Sequence, residues 1–243
     1  PMTDRHGHLH SLEMAWWDAW HGCGQGGPAA SSAQRGGMRD TRAAACFWAY
    51  QRVALSARAR EVLEGCATQS EPYEGFELSD RDRVTLALSL TVTHGDMTVV
   101  DRVLARVTSA DERARAIFVR PATAEDGHVR DALFSALCDR THREREPWAL
   151  EALAYLNHPL RADSAMGYLS AGLQLLPEIE RTGDIFMPKR WCDALLHGHR
   201  SGAAAGIVRR WLDHEVADPR LARIGQQAAD DLFRVQRLTA PGA

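Results

Sequence analysis

Apolar positions along this chain recur at spacings of three and four residues between short polar corners, the periodicity of helices buried on one face. Leu12, Ala15, Trp16, Ala19 and Trp20 share one side of a first helix. The stretch HGCGQGGPAASSAQRGG follows, and its glycines and serines read as a flexible loop. A second helix is predicted to start near Thr41 and to turn Ala44, Phe47 and Trp48 inward. Asp96 can cap a helix whose face is Val100, Val103, Leu104 and Val107. Ser109 and Glu112 form a capping box for a short helix expected to stop before Pro121. Val129, Leu133, Ala136 and Leu137 mark the next, and Pro147 suits the first turn of another, where a missing N–H costs little. Met166, Leu169, Leu173 and Leu176 define a helix that Pro177 should kink or end. Ile207, Val208, Trp211 and Leu212 line one further helix. Leu221, Ile224, Ala228 and Leu232 line the last, opened by Asp218 and Pro219.

One segment resists this pattern. Val84, Leu86, Leu88, Leu90 and Val92 alternate strictly, as in a strand. Ser79 with Asp82 resembles a capping box, however, and Gly95 suits a helix C-terminus. With helical patterns on both sides, the segment is read as helix.

Helices joined by short turns lie antiparallel to their neighbours, and none here has enough apolar face to stand alone. The expected fold is therefore all-α, an irregular HEAT-like α-solenoid of antiparallel helices without a strict repeat consensus. Residues 1–40 are read as a Trp-rich helix with a flexible loop, and 41–243 as the helical-repeat array.

Composition narrows the function classes. Apolar residues make up 45 % and charged residues 25 % of 243 positions, which suits a globular protein with a real core. A formal charge of -3 gives no reason to expect nucleic acid as a partner. No apolar run approaches the ~20 residues that span a bilayer, and PMTDRHGHLH carries no apolar signal core. The chain starts at Pro1 rather than methionine, as expected of a piece of something longer. Cys23, Cys46, Cys66, Cys138 and Cys192 form no CxxC pair and read as reduced thiols in a cytosolic protein.

Candidate chemistry is sparse. His6, His8 and His10 would share one side only of an extended segment, and a zinc ion would need a fourth ligand; surface histidines on a disordered terminus are the plainer reading. His197 and His199 could ligate metal or, as cations, interact with a helix C-terminus. HEVAD, His214 to Asp218, misses HExxH because aspartate stands where the second histidine belongs, so it reads as a helix end followed by a cap. Gly22, Gly24 and Gly27 have GxGxxG spacing but follow a helix rather than a strand. There is no GxSxG elbow, P-loop or partnered cysteine nucleophile.

RTGDIFMPKRW, Arg181 to Trp191, reads as a corner: Gly183 as a left-handed C-terminal cap, IFMP as an apolar turn tucked against neighbours, and a new helix from Pro188. Together with REREPWALEALAYLNHPLRA, LQLLPEIERTGDIFMPKRWCDALLHGH and QQAADDLFR, in this order, it resembles the C-terminal helical domain of bacterial zinc aminopeptidases of the aminopeptidase N family. THGD and RARAIFVRPA fit the same region, so the resemblance spans roughly Ser79 to Arg234. In that family the zinc-binding HExxH and the GxMEN segment lie upstream, and neither occurs here. The resemblance implies a non-catalytic part of a cytoplasmic bacterial enzyme that covers the active-site cavity and shapes peptide access. It also implies no cofactor in this chain, with zinc in the upstream catalytic domain, which would be the chief partner. In some relatives basic residues of this domain hold the peptide carboxylate. Lys189, the chain's single lysine, and Arg190 are the candidate pair here, against the plainer reading of solvated cations at a helix start. Two further readings stand beside this one: a free-standing helical-repeat scaffold that binds proteins, and a small metal enzyme built on His6, His8, His10 and His214.

Overall fold

A computed structural model describes residues 3–23, 32–68 and 78–239. Among these residues the protein is all-α, with fourteen α-helices and no strand. The chain divides into two compact units, Pro1–Arg113 and Ala114–Ala243.

In the first unit α1 (Thr3–Cys23) packs along α2 (Ser32–Val53). The second helix begins nine residues before the expected Thr41, because Ala33, Gln34, Arg35 and Met38 are good helix formers that carry it across two glycines. The rest of the glycine- and serine-rich stretch, 24–31, lies outside the described residues. The buried face of α1 also differs from expectation. Glu13 and Trp20 are buried, whereas Leu12, Ala15, Trp16 and Ala19 are exposed. The Glu13 carboxylate accepts the N–H groups of Leu55 and Ser56, both at 3.1 Å, and the Ser56 hydroxyl, satisfying donors ahead of α3 (Ala57–Thr68). That anchor sets the rotation of α1 and turns Trp20 onto Phe47 and Tyr50, with ring centroids 5.0 and 5.8 Å away.

The alternating segment is helix α4 (Asp80–His94), with a complete capping box between Ser79 and Asp82 and Gly95 left-handed at φ 77°. Val84, Leu86, Leu88, Leu90 and Val92 are all buried, together with Ala87 and Thr91. Packed by both α3 and α5 (Thr98–Leu104), the helix leaves only the Arg81, Thr85, Ser89 and Thr93 side less buried, so its apolar residues spread over the rest of the circumference instead of one narrow stripe. The Asp96 carboxylate accepts the Thr98 N–H at 2.9 Å, opening α5 as expected.

Helix α6 (Ala110–Thr123) contains Pro121 instead of stopping before it. The proline sits in the last turn, where it removes one bond, to the carbonyl of exposed Ile117. In α7 (Gly127–Leu137) Val129 is exposed and Arg130 is buried, because its guanidinium reaches back to the carbonyls of Ala124 and Glu125 at 2.8 and 2.6 Å. Where one helix was expected around Leu176 there are two, α9 (Met166–Gln174) and α10 (Leu176–Thr182), with Pro177 in the first turn of the second. The last predicted helix likewise divides into α13 (Pro219–Ala228) and α14 (Asp230–Thr239), after α12 (Gly202–Arg210) closes in a single wide turn at Trp211–Glu215.

The core of the second unit is α11 (Met187–Leu196), packed by α8 (Glu146–Leu156), α9, α10 and α13. Met187, Trp191, Cys192, Leu195 and Leu196 are buried along it. The Trp191 indole donates to the Gly172 carbonyl at 2.9 Å, so the largest core side chain is also hydrogen-bonded.

Candidate functional site

The corner from Thr182 to Met187 positions the two candidate cations. Asp184 donates its N–H to the Glu146 carboxylate at 2.9 Å, and its own carboxylate accepts the Phe186 N–H. Gly183 is extended (φ −93°, ψ −179°) rather than left-handed; its need for glycine is steric, since a Cβ there would lie 2.9 Å from the Met187 side chain. Only half of IFMP is tucked in. Met187 and Pro188 are buried, but Ile185 and Phe186 are 70 % and 61 % exposed, because α11 starts one residue earlier than expected and its inward face begins at Met187.

Lys189 and Arg190 reach this same surface and are both exposed. Lys189 donates to both carboxylate oxygens of Asp193, at 2.9 and 2.7 Å, one helical turn on. Arg190 lies 3.8 Å from the Asp184 carboxylate with its guanidinium 5.6 Å from the Phe186 ring centre. Such exposed pairs contribute little, so a stronger carboxylate ligand could replace them.

Beside the corner opens a cleft of about 230 Å³. It is lined by Ile179 and Thr182 of α10, by Gly183 and Met187, and by Arg140, Arg143, Glu144 and Glu146. Neither Lys189 nor Arg190 lines it. Arg143 is its fixed element: buried, it donates to the Leu137 carbonyl at 2.7 Å and to Glu178, and lies 5.8 Å from the Trp191 ring centre. Glu178 also accepts the Thr182 hydroxyl at 3.1 Å, closing a network around the cleft wall. Nothing in the sequence separates Arg143 from Arg140 and Arg145 beside it. Only the three-dimensional placement of Trp191 and Glu178 does.

The histidines have structural surroundings. His199 is buried, with Nε2 2.9 Å from Asn157 Oδ1, and burial pushes its pKa down to about 4. It is therefore a neutral core group, not the helix-end cation expected. His158 accepts the Leu160 N–H on Nδ1 at 3.3 Å, and burial pushes it also down to about 4, with His197 and Arg161 adding repulsion. His214 is exposed in the wide turn, and Asp218 accepts the Arg220 N–H at 2.7 Å as the cap of α13. His10 is exposed; the side chains of His6 and His8 lie outside the described residues. Cys46, Cys66, Cys138 and Cys192 are free thiols, and burial pushes Cys192 up to about 12, so it stays protonated. Among the described residues no group of three His, Cys, Asp or Glu side chains could hold a metal ion, and no helix is long and apolar enough to cross a membrane.

No protein-family model, curated protein or solved structure matches this chain.

Proposed function

We propose that this chain is the non-catalytic C-terminal helical part of a bacterial, cytoplasmic zinc aminopeptidase, and that it covers the active-site cavity and shapes how peptides enter. Its helices would stack as an irregular HEAT-like array against an upstream catalytic domain, which would hold the zinc. The observation that carries this reading is the order and use of three blocks. EPW, YLNHPLR and RTGDIFMPKRW follow one another in the sequence, and their polar side chains hold helices to one another. Glu146 binds the Asp184 N–H, Asn157 pairs with His199, and Arg161 donates to the carbonyls of Ala122 and Thr123 at 3.1 and 2.8 Å. Residues spent in this way suit a part that gives shape, not a reaction centre.

The second reading is a free-standing helical scaffold for another protein, favoured by the exposed Ile185 and Phe186 at the corner. Immunoblotting of the source cells with an antibody to this chain separates the two. A band several times larger than 26.9 kDa, with HExxH encoded upstream, is the expected result. A band near 26.9 kDa with no fused peptidase favours the scaffold. Aminoacyl-amide hydrolysis by the pure, zinc-replete chain would overturn the non-catalytic assignment.

A further inference from the structure

The charges around the cleft are not equivalent. Arg143 and Glu146 are engaged, the first with Leu137 and Glu178, the second with the Asp184 N–H. Arg140 and Glu144 line the same cleft and are exposed, and their side chains make no hydrogen bond or ion pair among the described residues. They stand four positions apart with opposite charge, yet they do not close on each other. Ile179 and Met187, each 1 % exposed, form the packed floor behind the polar groups and offer little surface themselves. A cleft with one unpaired cation beside one unpaired anion is complementary to a dipolar ligand. A simple anion such as phosphate would meet the Glu144 and Glu146 carboxylates as well as the guanidinium groups. Size narrows the ligand further: drug-sized molecules take ~300–1,000 Å³, and about 230 Å³ suits something smaller.

We propose that this cleft binds a free α-amino acid. Its carboxylate would face Arg140 and its ammonium Glu144. Charge-assisted pairing sets the orientation. The site belongs to this chain alone and does not depend on whether a peptidase precedes it.

Isothermal titration of the whole chain with L-leucine tests the proposal, with N-acetyl-L-leucine and L-leucinamide as probes lacking one charge each. Saturable binding of L-leucine is expected, with both derivatives about tenfold weaker or worse. Arg140→Gln and Glu144→Gln should each weaken leucine by about tenfold and leave the thermal midpoint unchanged, since neither side chain holds the fold. No saturation by about 20 mM leucine overturns the site. So does equal binding of the derivatives, or binding that survives both substitutions.

Discussion

His199 Nε2 and Asn157 Oδ1 lie 2.9 Å apart where both side chains are fully buried, tying the end of α11 to the end of α8. Asn157 Nδ2 donates to the Leu153 carbonyl at 2.9 Å, so its oxygen accepts and the His199 proton sits on Nε2. The other ring nitrogen, Nδ1, is buried without a hydrogen-bond partner. Asn157→Ala should therefore leave the ring with no partner at either nitrogen and open a small void, at a cost of about 2–3 kcal/mol. Urea denaturation measures this, and a double cycle with His199→Ala should return a coupling of about 1 kcal/mol or more. Additive losses would mean that the pair contributes nothing of its own.

The same junction gives the protein an acid-sensitive point. His158 and His199 both have folded pKa values of about 4, below the ordinary 6.5, mainly through burial. His197 and Arg161 press further on His158, and Arg200 on His199, while Asp163 opposes the shift at His199. A depressed folded pKa means that the unfolded chain binds more protons between the two values. The stability these neutral rings contribute is thus complete above about pH 6.5 and is lost as pH falls through about 4. Urea midpoints should fall steadily from pH 7 to pH 4.5, and His199→Gln should flatten part of that slope. A midpoint independent of pH over that range would contradict the burial of both rings.

Two glycines in the second unit should respond in opposite senses to alanine. A Cβ at Gly198 would lie 2.2 Å from the Asn157 carbonyl oxygen and 2.6 Å from Pro159 N, both backbone atoms that cannot step aside. Gly198→Ala should cost about 3 kcal/mol or more by forcing α8 and α11 apart at their ends. Gly206 lies inside α12, and a Cβ there would meet nothing within 4 Å. Gly206→Ala should stabilise by up to about 1 kcal/mol, since alanine loses less backbone freedom in a helix. Thermal melts of the two variants give the comparison directly.

Local signals survived best in passing from sequence to structure. The capping box at Ser79, the cap at Asp218 and the first-turn Pro147 each act within a few residues, and each opens the helix it was expected to open. Which way a helix faces proved harder to read, because partners distant in sequence decide it. Glu13 turns α1 toward Leu55 and Ser56, 42 and 43 positions away, and so exposes the Leu12 and Trp16 stripe that periodicity alone would bury. Arg130 and Arg143 are legible only as surface charge until the carbonyls they satisfy, Ala124, Glu125 and Leu137, are in place around them. The left-handed cap expected at Gly183 is absent: its backbone is extended, and its requirement for glycine is the approach of Met187. The cleft draws on two stretches far apart in the chain, 140–146 and 179–187, and no spacing in the sequence brings them together.

The corner at the start of α11 should divide sharply between residues that hold the fold and residues that do not. Ile185 and Phe186 stay largely exposed, and Lys189 and Arg190 have only exposed carboxylate partners. Replacing either apolar residue with serine removes little buried surface, and replacing either cation with alanine removes a solvent-screened pair. Each of these four variants should shift stability by no more than about 0.5 kcal/mol. Met187, next in the chain and 1 % exposed, packs into the core beside Gly183, so Met187→Ala should cost about 2–5 kcal/mol. If the four surface variants instead destabilise the chain as Met187→Ala does, the corner is a folding element alone. If they leave it intact, as expected, Ile185, Phe186, Lys189 and Arg190 can be altered freely to ask what meets this surface.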